Sequence, residues 1–474
     1  MGSAHGARTR ERWTRGQRPA LLTPWQRMSA PQLFAGSFAL MIAFGTIGLR
    51  FVPAFYVDGQ PLGWVDALFT ATSAVCVTGL IVVDTATHFT RLGQGFILFL
   101  IQVGGLGMIT LTSLIILHLG RRLSLRAESV VPQLPSSVPK VDARRLTRDI
   151  VLFTLVLEAI GALVLFLAFL PHFPLGEAAW HAIFQAVSAF CNAGFSTFSD
   201  SLEGWATHTF VTWPIMILVV VGGIGFLTLE ELNHLRRNRK SERRFRLSLH
   251  SRIVLATSVG LLSLGWVLYL GLEWGGVLGG MAVWTKLENA MFMSVTARTA
   301  GFNTVAYADA SDPTNFFTIL LMSIGGSPGS TAGGLKTTTF FIIGLLAWSR
   351  FRGRTSVSAW SRTVPDETVQ RAVGLFVVAF GTVTAAILAY TVLAVNGSEP
   401  APFLWVMFEA VSAFNTVGLS LGMTDGLEPL SRLLTTVLMF VGRIGPLSFA
   451  ALLALKTGGP PARYHFARED VSIG

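Results

Sequence analysis

One short pattern occurs four times in this chain, and a second pattern follows each copy at nearly constant distance. The first reads Ser73-Ala74-Val75-Cys76-Val77-Thr78-Gly79-Leu80, Ser188-Ala189-Phe190-Cys191-Asn192-Ala193-Gly194-Phe195, Thr296-Ala297-Arg298-Thr299-Ala300-Gly301-Phe302 and Ser412-Ala413-Phe414-Asn415-Thr416-Val417-Gly418-Leu419. Each copy ends in a glycine followed by a large apolar residue. Phe69, Phe184 and Phe408 stand ten residues before their glycines, and Phe292 stands nine before Gly301, so the third copy is one residue short. The second pattern is Val103-Gly104-Gly105-Leu106-Gly107, Val221-Gly222-Gly223-Ile224-Gly225, Ile324-Gly325-Gly326-Ser327 and Val441-Gly442-Arg443-Ile444-Gly445. From Gly79, Gly194, Gly301 and Gly418 to Gly104, Gly222, Gly325 and Gly442 the spacings are 25, 28, 24 and 24 residues. Two linked motifs repeated this way predict four copies of one structural unit.

Composition says what surrounds those units. Hydrophobic residues make up 51% of the 474 and charged residues only 13%, against about 25% charged in soluble domains. Such a chain needs lipid as a second solvent. Long apolar runs near 33–52, 95–118, 150–170, 210–230, 252–272, 315–348, 371–395 and 430–455 each approach the roughly 20 residues that span a bilayer. Shorter runs near 64–75, 178–190, 284–296 and 402–413 cannot span and suit re-entrant half-helices. The order long, short, long, four times over, predicts an all-α integral membrane fold around one central pore. Its expected parts are a cytoplasmic tail at 1–32, pore repeats at 33–120, 121–232, 233–350 and 351–457, and a cytoplasmic tail at 458–474.

The net charge of +10 could indicate nucleic acid. Its distribution points elsewhere. The joining loops hold clusters such as Arg121, Arg122, Lys140 and Arg144, then Arg236, Arg237, Lys240 and Arg243, then Arg350, Arg352 and Arg354. The opposite loops carry Asp58, Asp84, Asp200, Glu203, Asp309 and Asp425. This asymmetry excludes nucleic acid as the partner, makes membrane lipid the surroundings, and predicts both termini in the cytoplasm. The apolar run begins only near Leu33, after Arg8, Arg10, Arg12, Arg15 and Arg18, which reads as a tail and not a cleaved signal. Cys76 and Cys191, the two cysteines, fall in the same register of the repeat and are expected as reduced packing thiols.

Glycine accepts positive φ, so backbone carbonyls before it can be turned toward one axis. A short helix ending there aims its negative dipole end at the same place. Four copies would stack rings of carbonyl oxygens able to replace a cation's hydration shell. By register the rings are Cys76, Cys191, Arg298 and Asn415; then Val77, Asn192, Thr299 and Thr416; then Thr78, Ala193, Ala300 and Val417; then Gly79, Gly194, Gly301 and Gly418. Side chains within a ring differ, so the shared ligand is backbone oxygen. Without carboxylates such rings suit a monovalent ion, since a divalent one wants acidic side chains. Arg298 would block cations if it faced the axis, so its guanidinium is expected behind the loop, paired with Glu288 or Glu409.

The long run 315–348, the second long run of the third repeat, is interrupted by Gly325, Gly326, Ser327, Pro328, Gly329, Ser330, Thr331, Ala332, Gly333, Gly334, Leu335 and Lys336. No helix continues through it, because proline removes a donor and glycine is costly. Its backbone must line a wet cavity, as a mobile plug able to hydrogen-bond across the pore. The run nearly matches a phosphate loop, but Leu335 separates Gly334 from Lys336 and no soluble strand precedes it, so nucleotide binding is rejected. Arg443 replaces a glycine of the second pattern, and a charge at bilayer depth marks function by default.

From about residue 33 to the C-terminus the chain resembles the Trk/Ktr/HKT superfamily of potassium transporters, and most of all the Ktr-type membrane (B) subunit. The four motif glycines match the family's filter glycines. Plant sodium-selective members have serine at the first, so glycine at all four implies potassium selectivity. Only one long run precedes the first short one, where Trk-type subunits carry two extra helices. The resemblance makes 325–334 a gating loop, with Lys336 beside it, and places Arg443 against it, where it would repel cations in the closed pore; an interhelical pair with a carboxylate is the plainer alternative. It implies potassium as transported ion, sodium as regulatory ion, a homodimer to which a tail like 463–474 contributes, and a cytoplasmic ring of nucleotide-binding regulatory subunits. The competing expectation is an ion-coupled secondary transporter with broken helices. A membrane enzyme is discounted, because His172, His181, His208 and His234 lack metal-ligand spacing.

Overall fold

The computed structural model describes residues 30–128, 143–237, 247–395 and 401–445. The expected tails, apart from 30–32, and the basic residues of 129–142 and 238–246 lie outside the described residues. The described residues are mainly helical, in four successions of a long helix, a shorter one and an inner element that is a single long helix only in the first. The first is α1 (Ala30–Phe51), α2 (Trp64–Val75), a single turn α3 (Thr85–His88) and α4 (Arg91–Glu128). The second is α5 (Ala143–Phe169), α6 (Leu175–Cys191), α7 (Thr209–Ile224) and α8 (Phe226–Arg237). The third is α9 (Leu249–Glu273), α10 (Val283–Thr296), α11 (Asp312–Met322) and α12 (Thr337–Phe351). After a small antiparallel hairpin of β1 (Ser358–Ala359) and β2 (Arg362–Thr363) come α13 (Asp366–Val395), α14 (Phe403–Asn415) and α15 (Pro429–Ile444).

Five of these, α1, α4, α5, α9 and α13, are long and apolar enough to cross a membrane. The α7–α8 pair is a sixth if its bend is ignored. The short helices begin where the chain cannot already be helical. Pro174 and Pro402 cap α6 and α14 with extended ψ, and Gly63 does the same for α2. Each carries its phenylalanine inward: Phe69, Phe184, Phe292 and Phe408 are all at most 2% exposed.

The successions close on themselves. α4 packs on α6, α7 on α10, α11 on α14, and α15 on α2, so each inner helix supports the short helix of the next unit and the last supports the first. Arg432 at the start of α15 reaches Asp66 at the start of α2 at 2.5 Å, sealing that final seam. Such packing fixes where the four loops ending the short helices must meet.

One expectation is corrected. The run 210–230 is not a single span: α7 and α8 meet at 101°, at Gly225. Gly225 takes φ +93°, and the freed Phe226 N–H donates to the Gly329 carbonyl at 3.1 Å. Helix α15 ends likewise at Gly445, with φ +89°. Gly225 lies against Pro328 and Gly329 of the glycine-rich segment, whereas Gly107, the corresponding residue of α4, stays within a continuous helix.

Candidate functional site

Gly79, Gly194, Gly301 and Gly418 lie in one closed ring. A Cβ on Gly79 would overlap the carbonyl oxygen of Ala193; one on Gly194 would lie 3.0 Å from that of Ala300; one on Gly301, 2.8 Å from that of Val417; and one on Gly418 would overlap that of Thr78. Each glycine therefore abuts the residue before the next glycine, around the full circle. No side chain fits, and all four have φ between +72° and +94°. The Thr78, Ala193, Ala300 and Val417 carbonyls form one layer of that ring.

The loops leading into it share an unusual backbone. Two residues before each glycine, Val77, Asn192, Thr299 and Thr416 all have φ between +51° and +67°. Three of the four are β-branched, for which this region costs about 1–2 kcal/mol each. Alternating left- and right-handed residues turn successive peptide planes the same way, which stacks carbonyls along one line. Hydrogen bonds hold the strain. Thr78, Ala193 and Val417 donate N–H to the carbonyls of Ser73, Ser188 and Ser412 at 2.8, 2.8 and 2.9 Å. The shorter third copy uses the carbonyl four residues back instead of five, Ala300 to Thr296 at 3.0 Å, which absorbs its missing residue. The hydroxyls of the same positions tie the loop ends down: Gly79 and Gly418 donate to Ser73 and Ser412 at 3.1 Å, while Ser188 and Thr296 donate to the Phe195 and Phe302 carbonyls at 2.7 and 2.5 Å.

The second glycine pattern has a steric cause. Side chains at Gly104, Gly222 and Gly442 would overlap the carbonyl oxygens of Val75, Phe190 and Phe414, each four residues before its loop glycine. Glycine lets each inner helix touch the end of a short helix. In the third unit, Gly325 meets the Gly333 carbonyl instead, because the glycine-rich segment has taken that place.

On one side the ring opens into a cavity of about 500 Å³ lined by all four glycines and by Asp84, Asp200, Glu203 and Asp425. Burial pushes the Asp84 carboxyl up, but hydrogen bonds from Ser199, Ala86 N–H and Thr87 outweigh it and leave the group below its usual range. Burial and the neighbouring Asp200 push Glu203 above its usual range, against a hydrogen bond from Asn303.

On the other side, residues 325–336 lie directly against the loops. Gly333 and Gly334 touch Thr416 and Asn415, Leu335 N–H donates to Asn415 Oδ1 at 3.3 Å, and Thr331 Oγ1 donates to Asn192 Oδ1 at 3.2 Å. Ser327 and Thr331 donate N–H to the Gly223 and Gly222 carbonyls at 3.0 and 3.3 Å. Ser327, Ser330, Thr331 and Ala332 are at most 1% exposed, and Lys336 Nζ caps the Ala332 carbonyl at 2.5 Å. Arg443, 0% exposed, donates to the carbonyl of Thr331 and, at 3.3 Å, to that of Gly104. Its partners are thus backbone carbonyls of the segment and of α4, not a carboxylate.

Arg298 corrects the expected pairing. Its guanidinium lies behind the third loop, in a small cavity with Gly223 and Gly326, and donates to Ser258 Oγ at 3.4 Å. Glu288 is occupied by Thr209 and Thr212, and Glu409 by Ser420 and Thr424, so neither carboxylate is turned toward it. Sequence reasoning also missed Glu158, 4% exposed on α5. It accepts from Gln102 Nε2 at 3.0 Å and sits 3.9 Å from the Cys191 thiol. The signal was present: a lone acid inside an apolar run. Cys76 and Cys191 are both buried and free.

Known proteins share this architecture. The TrkH family of cation transport proteins matches residues 28–458. The chain is 36% identical to the potassium/sodium uptake protein NtpJ of Enterococcus hirae over 452 residues, covering 95% of this chain and 98% of that one. It is 37% identical to the Ktr system potassium uptake protein B of Bacillus subtilis over 443 residues, covering 93% and 96%. Among solved structures, the potassium transporter TrkH of Vibrio parahaemolyticus superimposes with a TM-score of 0.70 at 18% identity, over 90% of this chain and 86% of that one. With its closed ring, its paired glycine patterns and a family match across most of its length, this chain is a member of the TrkH family of membrane cation transport proteins.

Proposed function

We propose that the chain is the membrane subunit of a potassium uptake system and conducts the ion through the closed ring of four glycine loops. The observation that carries this reading is the ring itself: carbonyls in register from four units, with no room for side chains and no carboxylate among them. Peptide oxygens replace the water of a weakly hydrated monovalent cation, and the acidic cavity on one face concentrates cations before they enter. The rings named by register above are then the potassium sites, in four pore repeats at 33–120, 121–232, 233–350 and 351–457. Similarity to proteins named for potassium uptake supports the choice of ion, NtpJ is named for uptake of potassium and sodium, and a regulatory role for sodium rests on the resemblance to Ktr-type subunits. Uptake follows the membrane potential, about 2.3 kcal/mol per charge per 100 mV.

The segment 325–334 acts as the gate. It occupies the inner side of the ring, and the positive charge of Arg443 beside it opposes a cation there. The basic joining loops support a plasma-membrane orientation with both termini in the cytoplasm. The likeness to Ktr-type subunits supports a homodimer carrying a cytoplasmic nucleotide-binding ring. An ion-coupled transporter built on inverted repeats does not account for a four-unit cyclic arrangement.

Potassium or rubidium uptake by cells lacking their own potassium transporters, with sodium as competitor, tests the reading. Restored growth at low potassium and uptake that resists excess sodium are the expected result; no uptake from correctly inserted protein refutes it.

A further inference from the structure

Directly after the phenylalanine stands a short buried Thr70 in the first short helix and Met293 in the third, but a longer buried polar side chain in the other two: Gln185 after Phe184 and Glu409 after Phe408, 0% and 1% exposed. Each reaches the residue two positions past its loop glycine. Gln185 Nε2 donates to Ser196 Oγ at 2.7 Å. Glu409 accepts from Ser420 Oγ at 2.9 Å and from Thr424 Oγ1 at 2.6 Å. The serines in turn hold the departing backbone. Ser196 Oγ accepts from Phe198 N–H at 3.0 Å, and Ser420 Oγ accepts from Gly422 and Met423 N–H at 3.2 and 3.3 Å. The same clamp is thus built twice, in units two and four, which face each other across the ring.

Packing alone does not require it. Unit three has the apolar Met293 at the corresponding place. A carboxylate taken out of water with only hydroxyl donors carries a desolvation cost that an apolar side chain avoids. Among the described residues Glu409 has no cationic partner. What the clamp does provide is a fixed position for the chain just beyond Gly418, where the outermost carbonyls face the acidic cavity.

We propose that Glu409, with Gln185 opposite it, is a positioning residue that holds the outer carbonyls at a spacing suited to potassium and keeps them from closing on sodium. This rests on the potassium-uptake reading. The step is mechanical: unclamped, the Ser420 segment relaxes by a few tenths of an ångström, enough for the carbonyls to follow a smaller ion.

The test is rubidium uptake with sodium competition, in cells lacking their own potassium transporters, at matched membrane abundance. Glu409→Leu removes the acceptor and keeps the bulk; Glu409→Gln keeps an acceptor oxygen and copies Gln185. Leaving the buried Ser420 and Thr424 hydroxyls without their acceptor corresponds to about a tenfold change, so Glu409→Leu should raise KM about tenfold and weaken discrimination against sodium. Glu409→Gln should stay within about twofold of the unmodified chain. Should Glu409→Leu fail to insert, Ser420→Ala, which removes one hydroxyl at the rim, should shift KM and sodium competition in the same direction. Unchanged KM and sodium competition in the inserted variant, while the unmodified chain takes up rubidium, overturns the clamp alone. Equal damage from Gln and Leu overturns it too, since charge and not hydrogen bonding would then matter. An unmodified chain that takes up nothing overturns the transport reading beneath it.

Discussion

Gly104 and Gly107 lie one turn apart on α4, and the same substitution at each should have opposite results. Alanine in a helix interior is favoured over glycine by about 1 kcal/mol at either position. At Gly107 the new methyl would meet only a ring carbon of Phe38 at 3.9 Å, an ordinary contact. At Gly104 it would overlap the Val75 carbonyl oxygen and lie 2.9 Å from its carbon, where ordinary contact begins at 3.4 Å. The helices must then separate by about 1 Å at this point to clear the oxygen, and overpacking of this kind costs about 1–3 kcal/mol. Val75 is the last residue of α2, so the shift passes straight into Cys76–Gly79. Gly107→Ala should leave thermal unfolding in detergent unchanged or raised and retain rubidium uptake; Gly104→Ala should unfold at lower temperature and lose most uptake. Equal behaviour of the two variants would refute the close-approach explanation of the second glycine pattern.

Arg443→Ala removes two hydrogen bonds to backbone carbonyls and the positive charge beneath the ring. Potassium flux should rise in the folded variant, and unchanged flux with intact folding counts against the gate. Glu203, held above the usual carboxylate range, takes a proton before Asp84, which is held below it and keeps its charge further down. KM for potassium should therefore rise as the outside pH falls from about 7 to 5, and Glu203→Gln should flatten that rise; a variant with the original pH profile removes Glu203 from cation capture. The same signs govern stability: Asp84 contributes at neutral pH a stabilisation lost only as pH falls through its lowered value, whereas Glu203 contributes none there.

The helical layout was legible because it is written locally. Run length separated α1, α4, α5, α9 and α13 from the short helices, and the recurring glycines announced loops that do meet. What escaped depends on distant partners. Gly225 looks like Gly107 in its motif, yet only Gly225 lies beside Gly329, whose carbonyl accepts the N–H that the bend releases. Arg298 is expected from the sequence to pair with Glu288 or Glu409, but in space Thr209 and Thr212 occupy Glu288, and Ser420 and Thr424 occupy Glu409. Glu158 was absorbed into an apolar run because periodicity cannot tell that α4 and the Cys191 loop lie against it.

Transport as proposed requires that Thr78, Ala193, Ala300 and Val417 turn their carbonyls on one axis around an unhydrated cation. An experimental structure of the protein in rubidium, with its anomalous signal mapped, examines this directly. Rubidium is expected on that axis, coordinated by these carbonyls. Rubidium confined to the acidic cavity, with the four carbonyls turned away, would contradict it.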